Sequence, residues 1–230
     1  SFAMYPRQDA APQARIHTNA RALPGNSGGA VVDAEGRLVG ILASGDGKIS
    51  EVISASHIRT VIASASPDHR QSFLSTGGAI RRCADALYDA AGITRDPPED
   101  LVSVIETECA ASGNRQLFDQ AGQTFGRWWM FDRSKAFLKR SLALDPESPN
   151  TLMSMAVTLH LNRESAAERP ILERYLAIDP ANTQALRMAV QVAGAIGDRD
   201  FGYMVLDLMR AHNPAAVPMA ESFLAEAFAN

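Results

Sequence analysis

The segment Leu142-Ala143-Leu144-Asp145-Pro146 returns as Leu176-Ala177-Ile178-Asp179-Pro180, and a degraded copy, Arg210-Ala211-His212-Asn213-Pro214, follows at the same interval. The prolines at 146, 180 and 214 are spaced 34 residues apart. A fixed period of this length restricts the fold severely. Each unit is one supersecondary element that cannot bury its apolar face alone, so consecutive units must stack. Proline cannot continue a helix, and Asp or Asn before it favours a turn, so every copy marks the end of a helix.

Other positions keep the same frame. The first unit has Gly122 and Phe125 in its first helix; the second has Ala156 and Leu159 there, with Leu172 and Tyr175 on the partner helix. Period, proline register and apolar positions together resemble the tetratricopeptide repeat. The resemblance implies helix pairs from about Asn114 to Pro214, with Met219 to Phe228 as a capping helix. It also implies a concave surface suited to an extended peptide or a partner helix. Asp119, Gln123, Met153, Val157, His160, Gln184, Arg187 and Gln191 are expected to face that groove. The set lacks the lysine and asparagine pattern with which some members of that family clamp a C-terminal carboxylate, so chaperone-tail binding is not expected. Trp128 and Trp129 end a helix in Arg127-Trp128-Trp129-Met130-Phe131. Both are expected to pack between repeats rather than to form an exposed binding anchor.

A second informative stretch is Leu23-Pro24-Gly25-Asn26-Ser27-Gly28-Gly29-Ala30-Val31-Val32, followed by Gly36-Arg37-Leu38-Val39-Gly40-Ile41. A serine is a weak nucleophile until a base takes its proton and amide donors receive the charge that builds on the attacked carbonyl oxygen. Glycines on both sides of Ser27 let the backbone turn tightly enough to aim such donors. The stretch resembles the nucleophile loop and following hairpin of trypsin-fold serine proteases of the HtrA-like branch. Ala14-Arg15-Ile16-His17-Thr18-Asn19-Ala20 resembles the strand entering that loop, with His17-Thr18-Asn19 where those enzymes usually carry Gln-Thr-Asp. The resemblance implies that Ser27 is the nucleophile and that the Gly25 and Ser27 amides form the oxyanion hole. It further implies that Ala43-Ser44-Gly45 line the specificity pocket and pair with the substrate backbone. Arg21, six residues before Ser27, would lie near the base of that pocket and favour an acidic side chain before the cut bond. The alternative, that Arg21 turns to solvent, is the commoner fate of arginine.

A triad needs a histidine to accept the serine proton and an aspartate to orient that histidine. In the family both belong to the first barrel. His17 is the sole histidine before Ser27 and sits on the entering strand; His57, His69, His160 and His212 follow it and match no triad position. The strands here are too few to close a barrel. The expectation is therefore the C-terminal part of a longer protease, cut within the domain, whose N-terminal half is its partner and without which these 230 residues are inactive. A deliberately shortened or degraded chain is the duller alternative.

The expected fold class is α+β multidomain, a partial trypsin-like β-barrel followed by an α-helical tetratricopeptide-repeat solenoid. Residues 1–64 form the protease portion, with a hairpin of strands 29–33 and 37–43 around Asp33-Ala34-Glu35-Gly36, a strand at 50–54 and a helix at 56–62. Residues 65–113 form a linker and helical hairpin, and residues 114–230 the repeats with their cap. In the hairpin, Ile80, Ala84, Leu87 and Ala91 make one stripe of a helix over 78–91, and Pro97-Pro98-Glu99-Asp100 opens the next. Cys83 and Cys109 fall on these two helices. They are expected as buried apolar residues, with a disulfide between antiparallel neighbours as the alternative.

A hydrophobic content of 46% with 21% charged residues fits a globular chain. A net charge of -4 gives no reason to expect nucleic acid or an anionic membrane as partner. No apolar run approaches the roughly 18 residues of a membrane span. Histidines and cysteines are too scattered for a metal set, and Ser75-Thr76-Gly77-Gly78 lacks the lysine of a phosphate loop, so no cofactor is expected. Periplasm and cytoplasm both stay open. Two function classes follow: a serine endopeptidase whose repeats recruit a peptide or protein, and a non-catalytic repeat scaffold with a vestigial protease segment. A serine at the centre of an intact Gly-Asn-Ser-Gly-Gly loop favours the first.

Overall fold

The computed structural model describes residues 16–20, 22–45, 49–64 and 69–229. Four strands, β1 (Ile16–Thr18), β2 (Ala30–Val32), β3 (Leu38–Gly45) and β4 (Ser50–Ser54), form one antiparallel sheet in the order β1-β4-β3-β2. Asp33 builds the turn between β2 and β3, its Oδ1 accepting from the Glu35 and Arg37 amides at 3.1 and 2.9 Å. The expected hairpin is present with β2 shortened. Gly40 is required by close approach, because a Cβ there would lie 2.3 Å from the Ile53 carbonyl oxygen. Helix α1 (Ser56–Ser64) follows β4 directly.

Helix α2 (Arg70–Asp89) then packs against a second rod made of α3 (Glu99–Val104), a π-helical turn (Ile105–Cys109) and α4 (Ala110–Ser112). Helix α2 begins eight residues before the expected start at 78. Its first two turns are exposed, including Phe73 and Leu74, so no apolar stripe announces them. Cys83 and Cys109 are joined in a disulfide, with Cα atoms 4.8 Å apart. This corrects the expectation of two separate apolar thiols: the π turn inserts Cys109 into the helix–helix contact directly opposite Cys83.

The helical array repeats with the sequence period. Helices α5 (Arg115–Arg127), α7 (Pro149–Leu161) and α9 (Thr183–Ile196) begin 34 residues apart, as do their partners α6 (Phe131–Leu144), α8 (Ser165–Ile178) and α10 (Arg199–His212). Within each pair the chain reverses through a left-handed residue, at Trp129, Arg163 and Gly197, with φ of 63, 59 and 68°. In all three turns the next amide reaches back five residues, Met130 to Phe125, Glu164 to Leu159 and Asp198 to Ala193, at 2.9 to 3.0 Å. This closes a Schellman motif that satisfies the helix-end carbonyls. Between pairs, Asp145, Asp179 and Asn213 leave the helix with φ of -144, -128 and -147°. Each precedes a proline, whose ring forbids the helical region to its predecessor.

The core lies in two main clusters. One runs through α7 to α10 and the terminal helix α11 (Val217–Ala227), around Leu152, Leu172, Leu186, Phe201 and Val205. The other joins the disulfide hairpin to the first pair through Cys83, Ile105, Phe118, Phe125, Trp128 and Phe137. Trp128 is buried and its Nε1 donates to the Ile93 carbonyl at 2.8 Å. Trp129, also expected in the core, is 61% exposed, because its left-handed backbone turns the indole outward onto Phe131. Helix α11 begins 34 residues after α9, in the register of a further first helix. It seats Phe223 against Gly194 and Phe228 against Gly202, where a Cβ would lie 2.7 and 3.1 Å from the rings.

The Cys83–Cys109 bond closes a loop of 26 residues, and a cross-link of that span stabilises a fold by about 3 kcal/mol through loss of denatured-state freedom. Calorimetric melting with and without reductant reads this directly. A transition temperature unmoved by reductant would rule out the bond as a stabilising element.

Candidate functional site

The loop Leu23–Gly29 connects the buried strand β1 to β2 and is exposed throughout. Two residues in left-handed backbone shape it, Gly25 with φ +96° and Gly28 with φ +83°. Its hydrogen bonds pin the loop without using the expected donors. The Asn26 amide donates to the Leu23 carbonyl at 3.0 Å, the Gly29 amide to Asn26 at 3.0 Å and the Gly28 amide to Leu42 at 2.8 Å. The Gly25 and Ser27 amides and the Ser27 hydroxyl make no hydrogen bond among the described residues. A serine hydroxyl beside two unengaged amides in a fixed turn is an arrangement that acyl transfer could use at an attacked carbonyl.

The residues expected to bind substrate are placed as follows. Arg21 lies outside the described residues. Ala43, Ser44 and Gly45 end β3, with Ser44 opposite Glu51 and Gly45 opposite Ser50 on β4. Strand β2 pairs with β3 only as far as Ile41, and the loop takes over at Leu42, whose amide donates to Gly29 at 2.9 Å. From Ala43 onward that side of β3 has no partner strand among the described residues, so an extended peptide could add there. His17 does not approach as a base. It is 5% exposed on β1, and its Nε2 lies 3.4 Å from the Asp145 carboxylate at the end of α6.

The eight residues expected to face a groove all fall on the first helices of the three pairs, α5, α7 and α9. Asp119, Met153 and Arg187 occupy equivalent positions, as do Gln123, Val157 and Gln191. Asp119 is nearly buried, and its carboxylate accepts from Gln123 Nε2 at 3.0 Å. Burial raises its pKa, opposed chiefly by hydrogen bonding to Thr151 and the charge of Arg115. Met153, Val157 and His160 are half-buried, and Gln184, Arg187 and Gln191 are exposed. The last three line one cleft of about 520 Å³ with Met219 and Phe223 of α11.

Two features escaped the sequence reading. Glu168 is completely buried on α8, 3.1 Å from His160 Nδ1. Burial pushes its carboxyl from the ordinary 4.5 up to about 7, against the pull of His160. The second is an ionic cluster between sheet and helices. Glu51 of β4 pairs with Arg115, the first residue of α5, and Arg115 also reaches Ser148 Oγ at 3.1 Å. No local pattern could have revealed either, since the partners are joined only by tertiary packing.

The trypsin-like peptidase domain family matches residues 3–41, a stretch that includes the whole Leu23–Gly29 loop and the first half of β3. No curated protein and no solved structure matches the chain.

Glu168 makes stability pH-dependent with a definite sign. A carboxyl whose folded pKa exceeds its unfolded value favours the fold fully below the unfolded pKa, and that contribution is lost as pH rises through the folded one. The repeats are expected to lose about 3 kcal/mol between pH 4.5 and pH 8 through this group. Urea melts across that range should therefore flatten in Glu168→Gln, and an equal slope in both proteins would refute the assignment.

Proposed function

We propose that the chain is the nucleophile-bearing portion of a trypsin-like serine endopeptidase whose helical repeats, of the tetratricopeptide type, bind a peptide or protein partner. The observation that carries this reading is Ser27 on an exposed, glycine-shaped turn with two amides unengaged among the described residues, inside the stretch that matches the trypsin-like peptidase family. Ser27 Oγ attacks the scissile carbonyl, and its proton passes to a histidine held by an aspartate. The oxyanion is received by the Gly25 and Ser27 amides, the amine leaves with the proton, and water releases the acyl group by the reverse path. An extended substrate adds to the open side of Ala43–Gly45.

The histidine and aspartate come from a second polypeptide segment that completes the barrel. Its docking is supported by exposed apolar side chains on the sheet and α1: Val32 and Leu38 are each 45% exposed and Ile62 70%. On the repeats, partner binding is supported by the cleft around Gln184, Arg187 and Gln191. An apolar wall faced by amide groups and one guanidinium suits a peptide that offers both an apolar side chain and hydrogen-bonding backbone.

The competing reading is a scaffold in which the protease segment is only structural. A fluorophosphonate probe separates the two in the full-length protein. The enzyme reading expects one covalent adduct on Ser27, abolished in Ser27→Ala. A folded sample that takes up no probe would favour the scaffold.

A further inference from the structure

Arg115 opens α5, yet its side chain belongs as much to the sheet as to the repeats. Its side chain is 10% exposed, those of Glu51 and Asp145 11% and 3%. One guanidinium thus serves partners on both sides. Nη2 pairs with Glu51 of β4, Nη1 donates to Ser148 Oγ at the start of α7, and Nε lies 3.9 Å from the Asp145 carboxylate at the end of α6. His17 of β1, directly opposite Glu51 in the sheet, approaches the same Asp145 oxygen at 3.4 Å. His17 Nε2, Arg115 Nε and Asp145 Oδ2 are buried, and none has a hydrogen-bond partner among the described residues. The arm toward Glu51 is therefore closed and the arm toward Asp145 is open.

Glu51 passes this contact on to β3. Its second oxygen accepts from Ser44 Oγ at 2.7 Å, on the strand end opposite Glu51. A cavity of about 130 Å³ lies between Ser44 and Gly45 on the sheet and Ser148 and Asn150 on the helices, and Ile49 beside it packs on the helical core, so the ionic relay works alongside one apolar contact. At the other end, Asp119 feels the charges of both Arg115 and Glu51. The relay thus runs from the start of α5, through one guanidinium and one carboxylate, to the open edge of the sheet.

We infer that Arg115 is a positioning residue through which the helical repeats set the geometry of the Ala43–Gly45 edge. A buried guanidinium held by one carboxylate and one hydroxyl, with a second carboxylate nearby, fixes direction as well as distance, and lysine could not reproduce it. Removing the cation takes away the ion pair that holds Glu51 against α5, so the nearly buried carboxylate shifts toward water and loosens its hold on Ser44. The edge's role in pairing substrate rests on the peptidase reading; the mechanical coupling does not.

Backbone amide exchange on the full chain tests the coupling without any substrate. In Arg115→Gln and in Glu51→Gln, exchange of amides in 42–45 and 50–52 should accelerate by about tenfold or more, while Leu152 and Leu186 in the repeats keep their protection. The double variant should be no faster than either single one, and Arg115→Lys should restore only part of the protection. Unchanged exchange at this edge in Glu51→Gln, a variant outside the repeats, would overturn the inference. So would additive effects in the double variant. Failure of probe labelling at Ser27 with the exchange pattern intact would remove the peptidase reading and leave the coupling standing.

Discussion

The steric conflict between proline and a helical predecessor governs this molecule more than any attractive contact. Asp145, Asp179 and Asn213 are driven out of helical geometry by the prolines that follow them, and each helix pair consequently has the same length. Equal lengths let Leu152, Leu172, Leu186 and Phe201 meet in a continuous core. Had one break shifted by a residue, every apolar position beyond it would rotate by about 100° around its helix. Hydrophobic burial supplies the stabilisation, but the backbone breaks decide which faces are offered to it.

The sheet depends on this array. Four short strands with two edges are at the lower limit of independent stability, and Ile16 and Val52 are the apolar residues it buries fully. What holds it to the helices is largely polar, centred on Glu51, Arg115, Asp145 and His17. Buried ion pairs add little net stability but penalise misplacement heavily, because a slipped register would strand a charge. Such an interface selects one docking geometry rather than a family of them.

How much of this the sequence disclosed follows from the range of each interaction. The 34-residue period, the proline breaks and the Asp33 turn act over a few residues and were legible. Trp129 and Arg163 were not, although they take the same left-handed turn as Gly197, because only the third turn uses the residue that advertises it. The exposed start of α2 left no stripe to read, and the π turn that brings Cys109 to Cys83 has no signature of its own. At the candidate site, the loop around Ser27 was visible because glycine spacing is local. The Arg115–Glu51 pair spans 64 residues and the burial of Glu168 depends on packing, so both emerged only in three dimensions.

Helix α11 has one more implication. Its two phenyl rings sit in notches that exist only because Gly194 and Gly202 have no side chain. A side chain at either position would lift α11 off the last pair and uncover Leu224 and Ala220, so the two glycines and the two rings can change only together, as one lock-and-key unit.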